Sequence, residues 1–321
     1  MRVTLLYMCM CHTWYLPCPA KSAFSAHSLV FVDDVCTVAD AMKLNLAFLQ
    51  PQALGALSPT MHEPWWIYIR FWMAEHYEIP IFCVAMYALL LFLGQQYMQK
   101  REPFALNQVT AIWNALLSLF SICGSCFVVS SLIENCFKHG LVGPAGALCN
   151  VDTHLSNPWL FYFTCTKFAE LFDTALLVLR KKDVIFLHWY HHIMTLLYCW
   201  VGWVRVETNG NLFGAMNLIV HSIMYGYYSI QMANKGSKLV DTIKKFAVIS
   251  ITPLQILQMA IGSWAVIHNF ENCPDQNDSN MAIFGGIMYT SYLILFLLMF
   301  RGKFQKFFAG KQRIHPNAKK Q

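Results

Sequence analysis

HWYHHIMTLLYCW, residues 188–200, sets three histidines among aromatic and aliphatic side chains, with Thr195 the only conventionally polar neighbour. The stretch reads like the inside of a membrane, and the composition of the whole chain agrees. Of its 321 residues 57% are hydrophobic, 15% aromatic and only 12% charged, about half the charged fraction of a soluble domain. Apolar runs of roughly the 20 residues needed to cross a bilayer lie at 79–98, 108–132, 157–179, 184–204, 212–232, 246–268 and 281–300. Each must be a helix, because lipid offers backbone amides no partner. The expected fold is an all-α integral membrane protein, a seven-transmembrane-helix bundle over residues 63–305. Residues 1–62 read as a poorly ordered lumenal extension and 306–321 as a basic cytosolic tail. PWWIY at 64–68 reads as an interfacial aromatic belt leading into the first bundle helix.

Basic residues orient the bundle. One set of flanks holds Lys100, Arg101, Arg180, Lys181, Lys182, Lys235, Lys238, Lys244, Lys245, Arg301, Lys303, Lys306, Lys311, Arg313, Lys319 and Lys320, whereas the opposite loops hold only Lys138 and Arg205. Sixteen against two places the C-terminus in the cytosol and the N-terminal flank outside it. The net charge of +6 is accounted for by topology, and no nucleic-acid partner is expected from it.

Charged groups inside a bilayer are costly and need a reason. The third span carries Lys167, Glu170, Asp173 and Thr174; steps of three and four put Lys167, Glu170 and Thr174 on one helical face, with Asp173 beside them. His188, His191 and His192 share a face of the fourth span by the same rule. Asn217, His221 and Tyr225 follow one another by single turns in the fifth, and Gln255 and Gln258 lie in the sixth. Measured along the helix from the cytosolic end of each span, Asp173, His191, His192, Gln255, Glu170, His221, Gln258 and Lys167 fall between ~10 and ~20 Å deep. Four helices therefore place polar residues in one layer, which implies a single buried site opening toward the cytosol.

Clustered histidines support two chemistries. HxxHH is one of the boxes of membrane di-iron oxygenases, but such centres need about eight histidines, and the spans offer only His188, His191, His192 and His221 at a common depth. A single zinc with three protein ligands and a water remains open, which leaves a metal-dependent lipid oxygenase or hydrolase as the alternative. The other chemistry uses imidazole itself as nucleophile and general base, without metal.

KFAELFDT (167–174), HWYHH (188–192), NLIVHSIMYGYY (217–228) and TPLQILQM (252–259) resemble, in order and spacing, the four signature blocks of the ELO family of very-long-chain fatty acid elongases, over roughly residues 64–305. The HWYHH form is similar to the subgroup acting on saturated and monounsaturated acyl-CoAs. The resemblance implies a 3-oxoacyl-CoA synthase of the endoplasmic reticulum membrane, an acyltransferase with a cytosolic C-terminus. It would join a long-chain acyl-CoA to malonyl-CoA, releasing CO2 and CoA, with no metal or other cofactor. It implies His191 as the nucleophile that forms an acyl-imidazole, and His221 as its partner at the same centre. His188 and His192 would orient His191, and Lys167, Glu170, Asp173, Asn217, Tyr225, Gln255 and Gln258 would form the surrounding network. Arg180, Lys181, Lys182, Lys244 and Lys245 would meet the CoA phosphates. The further partners it implies are the ketoacyl reductase, dehydratase and enoyl reductase of the cycle and membrane lipids, with a homodimer allowed.

Twelve cysteines sort by side. Cys123-Gly-Ser-Cys126 has the spacing of a redox or zinc pair but sits within a span, where two small residues at a helix contact is the simpler reading. Cys149 and Cys273 fall in the Lys/Arg-poor loops, on the oxidising side where a disulfide can persist, and resemble the family's lumenal disulfide. Asn277-Asp278-Ser279 in the same loop is a glycan acceptor by sequence. Two features depart from the family pattern: Met259 stands where Phe is usual, and the terminal AKKQ puts its lysines one place too late for a dilysine retrieval signal.

Overall fold

The computed structural model describes residues 64–150, 157–233, 238–273 and 279–313. The first 62 residues, Asn277 and the AKKQ end lie outside the described residues, as do the side chains of Lys244 and Lys245. Every regular element among the described residues is a helix: α1 (Trp65–Glu75), α2 (Glu78–Gln99), α3 (Asn107–His139), α4 (Pro158–Leu179), α5 (Phe186–Arg205), α6 (Gly210–Ala233), α7 (Lys238–Asn272) and α8 (Ser279–Arg313). Four are long and apolar enough to cross a membrane by length and composition: Glu78–Gln99, Asn107–His139, Ser250–Asn272 within α7 and Asn280–Gly302 within α8. Of the seven expected spans, those at α4, α5 and α6 are not among these four. Charge explains α4, where Lys167, Glu170 and Asp173 all fall within seven residues.

Two boundaries differ from the sequence expectation. The aromatic stretch at 64–68 does not run into the first span; it forms α1, a separate helix closed at His76 before α2 begins. Buried Arg70 holds α1 in place, donating from Nε to the carbonyl of Val204 at 3.1 Å, while Trp200 Nε1 donates to the carbonyl of Met73 at 3.2 Å. Helix α8 also continues to Arg313, so the tail expected from residue 306 begins as helix.

Local chemistry sets the other ends. Asn157 caps α4 by accepting the N–H of Trp159 at 3.0 Å, with Pro158 at the first helical position, where its missing N–H costs nothing. Helix α3 ends at Gly140, φ 75°, a conformation that only glycine adopts freely.

Neighbour contacts run α3–α4–α5–α8–α7–α6 and back to α3, a closed ring of six helices. Helix α2 lies outside it against α4 and α5, and α1 lies against α5. Close approach needs small residues in the absence of a hydrophobic drive between helices in lipid. A Cβ on Gly214 of α6 would come within 2.8 Å of Leu160 on α4, and one on Gly262 of α7 would overlap the Tyr289 ring on α8. Serines tie α3 to α6, Ser118 Oγ donating to the carbonyl of Ser222 at 2.8 Å and Ser229 Oγ to that of Ala111 at 2.9 Å. Outward faces stay apolar, with Leu90, Phe92, Ile112 and Leu116 exposed. At one end of the ring Cys149 and Cys273 are joined in a disulfide, and Asn269 of α7 hydrogen-bonds Thr208 in the α5–α6 turn. The α4–α5 turn marks the opposite end.

Candidate active site

All six ring helices contribute to one cavity of about 850 Å³, within the range of small-molecule sites. Glu170 and Asp173 enter it from α4, His188, His191 and His192 from α5, Asn217, His221 and Tyr225 from α6, and Gln255 and Gln258 from α7. Of the eleven residues assigned to catalysis and its network from the sequence, only Lys167 is absent from this wall. It lines a narrower cavity of about 60 Å³ toward the disulfide end, together with Asn217, which borders both. The rest of that inner lining is largely apolar, including Leu160, Phe163, Phe213, Met288 and Tyr289.

Between the two cavities lies a buried polar knot. Lys167 is 1% exposed and donates from Nζ to Glu170 Oε1 at 2.7 Å and to Asn217 Oδ1 at 3.0 Å, with its ammonium 4.3 Å from the centroid of the Phe163 ring. Because the Asn217 oxygen accepts from lysine, its amide nitrogen is the group that faces His221 Nε2 at 3.3 Å. An amide nitrogen can only donate, so Nε2 accepts, and a neutral His221 carries its proton on Nδ1. That nitrogen sits 3.7 Å from Glu170 Oε1. Glu170 Oε2 is buried with no hydrogen-bond partner among the described residues. The knot therefore fixes the orientation and tautomer of one imidazole.

Asp173 anchors the neighbouring residue on α6. Tyr225 donates to its Oδ2 at 2.7 Å and Trp113 Nε1 to its Oδ1 at 2.6 Å, and the Tyr225 ring meets His221 edge-on at 5.1 Å. On α5, His188 and His192 pack at 4.4 Å, and His191 lies 5.1 Å from the ring of Tyr292. The carbonyl of His191 accepts from Thr195 Oγ1 at 2.6 Å and from the Tyr292 hydroxyl at 3.2 Å, which pins the backbone beneath that imidazole. Trp113, Tyr87 and Tyr292 were not legible as site residues from the spacing of polar groups. The available signal was an aromatic residue with a polar tip inside an apolar span, since a buried indole N–H or phenol needs a partner.

The basic residues divide. Arg180 and Lys182 line the mouth of the large cavity beside Asp183. Arg180 Nη2 also donates to Asn107 Oδ1 at 3.3 Å. Lys181, at φ 50°, turns away and donates to the carbonyls of Gln99 and Arg101 at 3.3 and 2.9 Å. It closes the end of α2 and is not brought to the cavity. Cys123 and Cys126 are free thiols exposed on the outer face of α3. Among the described residues one group of three His, Cys, Asp or Glu brings its ligand atoms within 4.8 Å of one another: Cys149, His268 and Cys273. Both of its sulfurs are in the disulfide, and the cavity histidines form no such group.

Residues 72–312 match the ELO family, described as the GNS1/SUR4 family. The chain belongs to this family. It is 35% identical over 241 residues to very long chain fatty acid elongase 6 of Drosophila melanogaster, covering 72% of this chain and 73% of that protein. It is likewise 35% identical over 237 residues to very long chain fatty acid elongase 6 of Homo sapiens, covering 71% and 85%. To fatty acid elongase 3 of Trypanosoma cruzi (strain CL Brener) it is 34% identical over 261 residues, covering 71% and 85%. The matched region begins inside α1, taking in only its last four residues, 72–75.

Proposed function

We propose that the chain is the condensing enzyme of fatty acid elongation, an acyltransferase that joins a long-chain acyl-CoA to malonyl-CoA. The observation that carries this reading is the common cavity: His191 of α5 and His221 of α6 line the same enclosed space, with the Lys167–Glu170–Asn217 knot between it and an apolar extension. A thioester with an apolar tail suits such a space. The tail lies against the Leu, Phe, Met and Tyr lining, and the CoA phosphates meet Arg180 and Lys182 at the mouth.

His191 attacks the acyl thioester carbonyl; the C–S bond breaks, an acyl-imidazole forms, and the CoA thiolate leaves with the imidazole proton. Malonyl-CoA then loses CO2, and the electron pair of the broken C–C bond becomes the enolate that attacks the acyl carbonyl. The C–N bond breaks, 3-oxoacyl-CoA departs, and the released imidazole nitrogen takes up one proton from solvent, which regenerates neutral His191. His221, held by Asn217, lies at the same centre. His188 and His192 orient His191, and the polar knot, Asp173, Tyr225, Gln255 and Gln258 hold the frame around it.

The same reading sets the chain in the endoplasmic reticulum membrane as seven spans, with α2 to α8 as the crossing helices and the C-terminus in the cytosol. The mouth beside Arg180 and Lys182 then opens to the cytosol and the disulfide end to the lumen. The other enzymes of the cycle act on its product, and a homodimer fits the exposed apolar faces. The metal-dependent oxygenase or hydrolase is less favoured, because the cavity histidines do not converge as ligands.

Purified protein given palmitoyl-CoA and labelled malonyl-CoA is expected to release CO2, with a stoichiometric acyl adduct on His191. Full activity in His191→Ala would overturn the nucleophile assignment, and stoichiometric iron or zinc by elemental analysis would favour the metal reading.

A further inference from the structure

One hydrogen-bonded chain enters the site from outside the ring. Tyr87 on α2 is buried, and its hydroxyl lies 2.7 Å from Thr174 Oγ1 on α4, which in turn lies 2.9 Å from His188 Nε2 on α5. Thr174 is also buried. Thr110, Thr164 and Thr195 spend their hydroxyl protons on the carbonyl four residues back in their own helices. Among the described residues Thr174 makes no such bond, and its hydroxyl pairs with Tyr87 and the imidazole alone.

The direction of this chain follows from counting protons. Two hydroxyls bring two hydrogens, and the three heavy atoms make two contacts. If Tyr87 donates to Thr174 and Thr174 donates to His188, both hydrogens are used and Nε2 is an acceptor. If the imidazole donated instead, three hydrogens would compete for two contacts, and one hydroxyl hydrogen, of Tyr87 or of Thr174, would be left buried without an acceptor. Such an orphan disfavours the reverse direction by about 5- to 150-fold at room temperature. A neutral His188 therefore has its proton on Nδ1, the nitrogen left to the large cavity, which His188 lines.

We propose that Tyr87 is a positioning residue which, through Thr174, holds His188 in the Nδ1–H tautomer and so presents a hydrogen-bond donor, not a base, to the reacting thioester. The proposal rests on the acyl-transfer reading for the identity of the group that receives the donor. It gives α2 a part in the chemistry although that helix stands outside the ring. It also separates the histidines by role: with Nδ1 protonated, His188 cannot remove a proton through the cavity-facing nitrogen.

The test uses the full chain in lipid nanodiscs with ring-15N-labelled histidine. His188 is identified by subtracting the spectrum of His188→Asn, and the tautomer is read from the nitrogen shifts without substrate. Wild type is expected to show a protonated Nδ1 at His188, and Tyr87→Phe a mixture of both tautomers. In turnover, Y87F is expected to lower kcat about tenfold, the worth of one neutral hydrogen bond, with KM for both substrates within about twofold of wild type. Thr174→Ser keeps the relay and the rate. Thr174→Val matches Y87F, and the double variant Y87F/T174V falls no further, because the two residues act as one unit. A wild-type His188 protonated on Nε2, or a Y87F protein with unchanged tautomer and rate, would overturn the proposal. A wild-type protein that releases no CO2 from malonyl-CoA refutes the acyl-transfer reading alone, while the substrate-free spectra still decide the relay.

Discussion

Removing the Lys167 ammonium is the sharpest test of the polar knot. The pair it forms with Glu170 is almost wholly buried and its charges are 2.7 Å apart, which at an effective dielectric of about 20 is an attraction of about 6 kcal/mol. Desolvating two ions costs several kcal/mol each, so the intact pair contributes little net stability. Breaking it is another matter. Lys167→Met leaves the Glu170 charge buried without its counter-ion and orphans Asn217 Oδ1, and the expected loss is about 3–5 kcal/mol. If the knot is the reason, Lys167→Met/Glu170→Gln removes both charges and recovers most of that loss, leaving about 1–2 kcal/mol for the unpaired amide. Stability is measured by chemical unfolding in detergent micelles, and CO2 release is followed alongside. Both variants are expected to be inactive, so the recovery appears in stability and not in rate. A single variant as stable as wild type would show that the pair is not desolvated as the structure places it. A double variant as unstable as the single would show that the cost comes from lost packing against Phe163 and not from the stranded charge.

Three further outcomes follow from other parts of the fold. Gly262→Ala sets a Cβ against the Tyr289 ring and is expected to cost about 1–3 kcal/mol, whereas Gly286→Ala, whose nearest neighbour would be 3.8 Å away, is expected to change the same unfolding midpoint little. The Cys149–Cys273 link spans 124 residues, so Cys149→Ser/Cys273→Ser is expected to lose at most about 5 kcal/mol, read by unfolding with and without reductant; no loss would mean that packing alone holds that end of the ring. Tyr289→Ala opens the inner apolar cavity and is expected to lengthen the products in an elongase-deficient yeast; an unchanged fatty-acid profile would place the acyl tail elsewhere.

Much of this architecture was legible in the residues because lipid makes its demands visible. Uninterrupted apolar runs marked where helices lie, and steps of three and four put Glu170, His191, His221 and Gln258 on inward faces before any neighbour was known. What stayed hidden was pairing between helices. The break at His76 has one local signal, Pro80 in the first turn of α2, which cannot hydrogen-bond the His76 carbonyl four residues back, but the hydrogen bonds of Arg70 and Trp200 that place α1 join residues more than 120 positions apart. Trp113 and Tyr87 were hidden for a related reason: in a sequence, an aromatic residue in a span is indistinguishable from one facing lipid. Yet hydrocarbon offers an indole N–H or a phenol no acceptor, so each such tip inside a span must snorkel to an interface or be used within the bundle. Trp113, Tyr225, Tyr87 and Tyr292 are used within it, on Asp173, Thr174 and the carbonyl of His191. Tyr198 departs from this rule: its hydroxyl, beside the inner cavity, is buried with no hydrogen-bond partner among the described residues.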